Sequence, residues 1–111
     1  MRIAIIGSRG IEQADIGKYV SSDDEIVSGG AKGVDSIAAE YAKAKGLKLV
    51  EFKPKYQLYG RAAPLKRNEE IVNYADKVIA FWDGKSKGTK YVINYAEKVG
   101  KPCVVVVNDI N

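Results

Sequence analysis

Histidine is absent from this chain and cysteine occurs once. Without histidine there is no Ser-His or Cys-His catalytic couple and no zinc site of the Cys/His type. One cysteine excludes an internal disulfide. Cys103, following Pro102 in an apolar run, reads as a buried, inert thiol. No apolar run approaches the roughly 20 residues that cross a bilayer, so no membrane association is expected. The start, MRIAIIGSRG, runs into a glycine turn without a small-residue cleavage site, which reads as a core strand and not a secretory signal. These absences together point to a cytoplasmic protein. What is present is ordinary: 111 residues, 46% hydrophobic and 29% charged, enough for one domain over residues 1–111. The chain shows no linker, repeat or low-complexity segment.

The net charge of +4 is modest but unevenly distributed. Residues 53–90 hold 9 Lys and Arg against 4 Asp and Glu, whereas the segments on either side are close to neutral. A concentrated excess of this kind fits an anionic partner, or a solvated lysine-rich face.

Five short apolar runs rich in Val and Ile read as strands: Arg2–Ile6, Glu25–Ser28, Lys48–Phe52, Val78–Phe81 and Cys103–Val107. Helical spacing of apolar residues predicts helices over Asp35–Lys45, Pro64–Ala75 and Thr89–Val99. A weaker helix is expected over Ile11–Val20, where Ile16 and Val20 stand four apart. Gly46 and Gly100 read as C-terminal stops. Alternating strands and helices predict an α/β fold, a Rossmann-like three-layer sandwich around a five-stranded parallel sheet. Right-handed crossovers then bring the strand-to-helix loops to the C-terminal edge of that sheet, where such folds bind ligands. The long connection Lys53–Ala63, with two tyrosines and an arginine, is richer than a passive linker requires.

Three loops on that edge are rich in glycine and carry a basic residue. They are Gly7-Ser8-Arg9-Gly10, then Ser28 to Asp35 with Gly29, Gly30, Lys32 and Gly33, then Trp82 to Thr89 with Asp83, Gly84, Lys85, Ser86 and Gly88. Glycine lets a backbone approach a ligand, and the helix N-terminus that follows each loop adds uncovered N–H donors. Any one loop is explained by tight turn geometry, and Thr89 or Asp35 by capping its own helix. Three on one edge point to a phosphate-bearing ligand. None matches a Walker A loop or the dinucleotide GxGxxG pattern, so no cofactor is expected.

IVSGGAKGVDSIAAEYA resembles the second-strand motif of the SLOG superfamily, a Rossmann-like group that includes DprA and the LOG phosphoribohydrolases. IIGSRG and FWDGKSKGT fit the same group, and YGRAAPLKRNEEIVNYAD is similar to a stretch of its small single-domain YspA-like branch. The resemblance covers nearly the whole chain. It implies a nucleotide or nucleotide-derived ligand at the strand edge, held by Ser8, Arg9, Gly29, Gly30, Lys32, Gly33, Asp35, Arg61, Arg67, Asn68, Gly84, Gly88 and Thr89. An arginine fork suits phosphate or carboxylate, and an amide suits a base or ribose edge. For Arg67 and Asn68 the competing reading is a salt bridge to Glu69 or Glu70. For Arg61 it is a side chain in solvent.

One departure bears on activity. LOG enzymes carry P-G-G-x-G-T-x-x-E, whose last residue belongs to the catalytic pair. That position is Val92 here, and Asp83-Gly84-Lys85 replaces the opening of the motif. Glycosidic cleavage needs a carboxylate at the anomeric carbon, and Asp35 and Asp83 are the candidates that remain. Trp82 can stack on a base or pack the strand end, and Tyr56 and Tyr59 can cover the pocket or pack their own loop. Tyr91 and Tyr95, one helical turn apart, suit a homodimer face or a half-buried core. The favoured expectation is binding or sensing of a nucleotide-like small molecule. The alternatives are a LOG-like phosphoribohydrolase and a DprA-like single-stranded nucleic-acid binder.

Overall fold

The computed structural model describes residues 1–107. Five parallel strands, β1 (Arg2–Gly7), β2 (Glu25–Ser28), β3 (Leu49–Glu51), β4 (Lys77–Trp82) and β5 (Cys103–Val107), form one sheet in the order β3-β2-β1-β4-β5. Three long helices, α1 (Val34–Lys45), α3 (Ala63–Tyr74) and α4 (Lys87–Lys98), cover it, with one short turn of helix, α2 (Tyr56–Tyr59), in the long connection. The architecture is the expected α/β sandwich. Strand order reverses between β1 and β4, which places the ligand-binding edge of such a sheet at the ends of those strands.

Side chains alternate across the pleat, so neighbouring residues of one strand serve opposite cores. Ile3, Ile5, Ile26, Ile79 and Phe81 pack with Val34, Ala38 and Ala42 of α1. Ala4, Ile6, Val27 and Val78 pack with Ile71 and Val72 of α3 and Val92 and Ala96 of α4. The central strands are apolar on both faces because both faces are covered: Ile3–Ile6 and Val78–Phe81 are buried at every position. Val92, the residue standing where LOG enzymes have a carboxylate, is fully buried in the second core.

The helix expected over Ile11–Val20 is not formed. Only Ile16–Lys18 makes a single 3-10 turn, and the residues before it are irregular. Ile11, Ile16 and Val20 are all buried against the α1-side core, but a step of five followed by four does not keep them on one helical stripe. An open backbone lets all three side chains reach the sheet. Beside this segment lies a trough of about 460 Å³ bounded by Gln13, Ala14, Asp15, Lys18, Tyr19, Phe81 and Val106.

The helix ends follow local chemistry. Pro64 sits in the first turn of α3, where its missing N–H costs nothing. α1 stops at Gly46, whose φ of 67° is left-handed, and Leu47 N–H donates to the Ala42 carbonyl at 2.9 Å to close the end. No helix among the described residues is long and apolar enough to cross a membrane.

Candidate functional site

The loops after β1, β2 and β4 meet. A methyl group built on Gly33 would lie 2.7 Å from the Arg9 carbonyl oxygen, so the first two loops touch backbone to backbone. Ser8 joins the first loop to the third. It is buried, its N–H donates to the Phe81 carbonyl at 3.0 Å, and its Oγ accepts the Asp83 N–H at 3.2 Å. The same Oγ lies 3.5 Å from Thr89 Oγ1, and Thr89 is buried as well. Ser86 caps α4, accepting the Thr89 N–H at 3.4 Å and donating its hydroxyl to Thr89 Oγ1 at 3.3 Å. Ser8 therefore acts inside the fold as a latch between two loops.

Between these loops and the start of α3 lies a cavity of about 170 Å³. Gly7, Arg9, Ala31, Arg67, Asn68, Ser86, Gly88 and Thr89 line it together with Ile6, Pro64 and Leu65. No Asp or Glu is among them. Arg9 is exposed and forms no ion pair or hydrogen bond among the described residues. Arg67 is held in place: Nη1 donates to the Gly29 carbonyl at 2.8 Å and Nε to Asn68 Oδ1 at 2.8 Å. Nη2 lies outside both bonds, and the Asn68 amide NH₂ remains as a donor. Asn68 and Gly29 thus answer for the orientation of Arg67, in place of the surface salt bridge to Glu69 or Glu70.

Asp35 lies behind this wall. A methyl on Gly29 would sit 2.8 Å from Arg67 Nη1 and 3.1 Å from Asp35 Oδ2, so the guanidinium and the carboxylate flank that glycine. Asp35 Oδ2 accepts the Ala31 N–H at 3.1 Å. Burial pushes its carboxyl above the ordinary value of 3.8, and Glu51 adds to the push. The Ala31 and Gly29 N–H groups and the Arg67 charge pull the other way without cancelling it. A carboxyl raised in the folded state contributes stability that is complete below the unfolded value and fades as pH climbs through the folded one. Asp35→Asn keeps an oxygen for Ala31 and removes the charge. It should gain stability relative to the parent between about pH 4 and neutrality, read by urea denaturation at a series of pH values. A parent protein that gains on the variant over that interval contradicts the assignment.

Asp83 serves the third loop. Its Oδ1 accepts the N–H groups of Ser86 at 2.7 Å and Lys85 at 2.8 Å, and these bonds hold its carboxyl below the usual range. It does not line the cavity. Trp82 is braced too: its indole N–H donates to the Ser86 carbonyl at 3.0 Å, and Lys90 Nζ sits 5.1 Å above its ring. Arg61, Lys32, Gly30, Gly84 and Lys85 are exposed on the same edge but outside the cavity wall. The Tyr91 and Tyr95 hydroxyls donate to Glu69 and Asn73 of α3, tying two helices of one chain together.

Ile6, Ala31, Pro64 and Leu65 entered the wall unannounced. None carries reactive chemistry, and only their places at a strand end, a loop and a helix start could have marked them.

Residues 1–59 match the model of the YAcAr family, the YspA, cpYpsA-related SLOG family. The Gene 61 protein of Mycobacterium phage D29 is 33% identical over 85 residues, covering 71% of this chain and 68% of the phage protein. DNA processing protein A from Helicobacter pylori, solved for its single-stranded DNA binding mode, shares the fold. Its TM-score is 0.73 at 24% identity, over 100% of this chain and 67% of that one.

Proposed function

Because the chain belongs to the YspA, cpYpsA-related SLOG family, we propose that it binds a nucleotide or nucleotide-derived ligand, phosphate inward, in the cavity between the β1, β2 and β4 loops. The observation that carries this reading is the make-up of the wall. Two arginines, two hydroxyl residues, an amide and the first turn of α4 converge there, with no carboxylate among them. Such a wall repels nothing anionic, and charge-assisted bonds from a guanidinium are the strong ones. The same wall favours binding over cleavage. Glycosidic hydrolysis needs a carboxylate at the reacting carbon, while Asp35 and Asp83 are each occupied by their own loop's N–H groups.

Thermal unfolding with a panel of nucleoside mono- and diphosphates tests the proposal. Ligand at 100 times Kd stabilises by ~2.7 kcal/mol, which raises Tm by roughly 10 °C for a domain of this size. Gly88→Leu sharpens the test. A Cβ built at Gly88 meets nothing within 4 Å and the backbone φ is not positive, so the fold should tolerate the substitution, and at a wall position the added side chain should take up space the ligand needs. The expected result is a normal Tm without ligand and no shift with it. A panel with no active phosphorylated compound, or a full shift in Gly88→Leu, overturns the proposal.

A second reading, single-stranded DNA along the same rim, is supported by the exposed side chains of α2. Tyr56, Leu58 and Tyr59 are 62%, 71% and 42% exposed within the basic stretch, and bases stack on such rings. Oligothymidylate affinity that falls steeply with salt favours it. A flat salt response, or none retained at low salt, removes it.

A further inference from the structure

We infer that the cavity takes the phosphorylated five-carbon sugar of its ligand and leaves any base outside, unread. This rests on the phosphate-binding reading above and narrows its ligand class. Two independent features carry it.

The first is room. About 170 Å³ is well short of the ~300 Å³ at which whole-ligand pockets usually start. Inorganic phosphate leaves most of that space empty. A phosphorylated pentose fills it, and a complete nucleoside monophosphate overfills it.

The second is the chemistry of the wall. No aromatic side chain lines the cavity. Trp82 is bonded to Ser86 and covered by Lys90, and Tyr56 and Tyr59 of α2 are not among the lining residues. A base therefore has no ring to stack on within the cavity. For its hydrogen-bonding edge the wall holds one amide, and Asn68 Oδ1 is already engaged by Arg67 Nε, so that amide offers its NH₂ first, a donor that suits sugar and phosphate oxygens. The remaining wall is aliphatic: Ile6, Pro64 and Leu65 offer C–H surface beside the polar groups, which suits the ring of a furanose.

Calorimetric titration of the whole chain with ribose 5-phosphate, AMP, CMP, adenosine and inorganic phosphate tests the inference. Ribose 5-phosphate, AMP and CMP should bind within about threefold of one another, under ~0.7 kcal/mol. Adenosine should be weaker by about 100-fold or more, having lost the charge-assisted bonds. Inorganic phosphate should bind at least roughly tenfold more weakly than ribose 5-phosphate, for want of sugar contacts. Leu65→Ala, at a 41% exposed position, should weaken ribose 5-phosphate by about three- to tenfold and leave inorganic phosphate unchanged. A nucleotide binding more than tenfold tighter than ribose 5-phosphate, or inorganic phosphate matching ribose 5-phosphate, overturns the inference while the proposed function stands. Failure of every phosphorylated probe overturns both.

Discussion

Alanine in place of Gly33 costs roughly 3–5 kcal/mol of folding stability, a large share of what a domain of this size possesses. Gly33 has φ 77° and ψ −126°, a conformation alanine rarely adopts. Its new methyl would also lie 2.7–2.9 Å from three backbone atoms of Arg9. A flexible side chain could swing away from such a collision, but a backbone cannot. Gly46 is the control. Its φ of 67° is positive too, but a methyl there meets nothing within 4 Å, so Gly46→Ala costs only ~1 kcal/mol of left-handed strain. Urea denaturation of both variants should separate them by at least about 2 kcal/mol. Equal losses would mean that the β1 and β2 loops do not press on each other, and the cavity between them would lose its rigid frame.

The second large effect falls on binding without touching the fold. Arg9→Glu reverses a charge on the cavity wall at an exposed side chain with no partner among the described residues. Stability without ligand should stay within about ±0.5 kcal/mol. Affinity for AMP should fall on the order of 100-fold, since a charge-assisted bond worth ~1.5–3 kcal/mol is replaced by repulsion. Calorimetry read beside a melting curve separates the two quantities. An unchanged affinity would remove Arg9 from the site.

The sheet and the edge where its loops meet were legible because their causes are local. Val- and Ile-rich runs of four or five residues between helical stripes admit little but a doubly covered parallel sheet, and handed crossovers then send the Gly7–Gly10, Ser28–Asp35 and Trp82–Thr89 loops to one rim. The stretch from Ile11 to Val20 misled because Ile16 and Val20, four apart, look like half a helical face, although Ile11, five before Ile16, falls off that stripe. Ser8 shows a different limit. A loop hydroxyl serves a ligand or a neighbouring loop equally well by type, and only the position of Asp83 and Thr89, over seventy residues away, decides that it is a latch. Asp35 and Asp83 follow the same logic, being acceptors whose partners are backbone N–H groups of their own turns. Leu65 and Pro64 were silent because an aliphatic wall residue has no signature apart from its place.

The central claim is that three separated loops and the start of α3 form one anion site. Amide shifts of isotope-labelled protein titrated with AMP test it most directly. Gly7, Arg9, Ala31, Arg67, Gly88 and Thr89 should shift together along one saturating curve, with Gln13, Lys18, Tyr19 and Val106 of the trough beside Ile16–Lys18 unmoved. Shifts confined to that trough, or to a single loop of the rim, would contradict it.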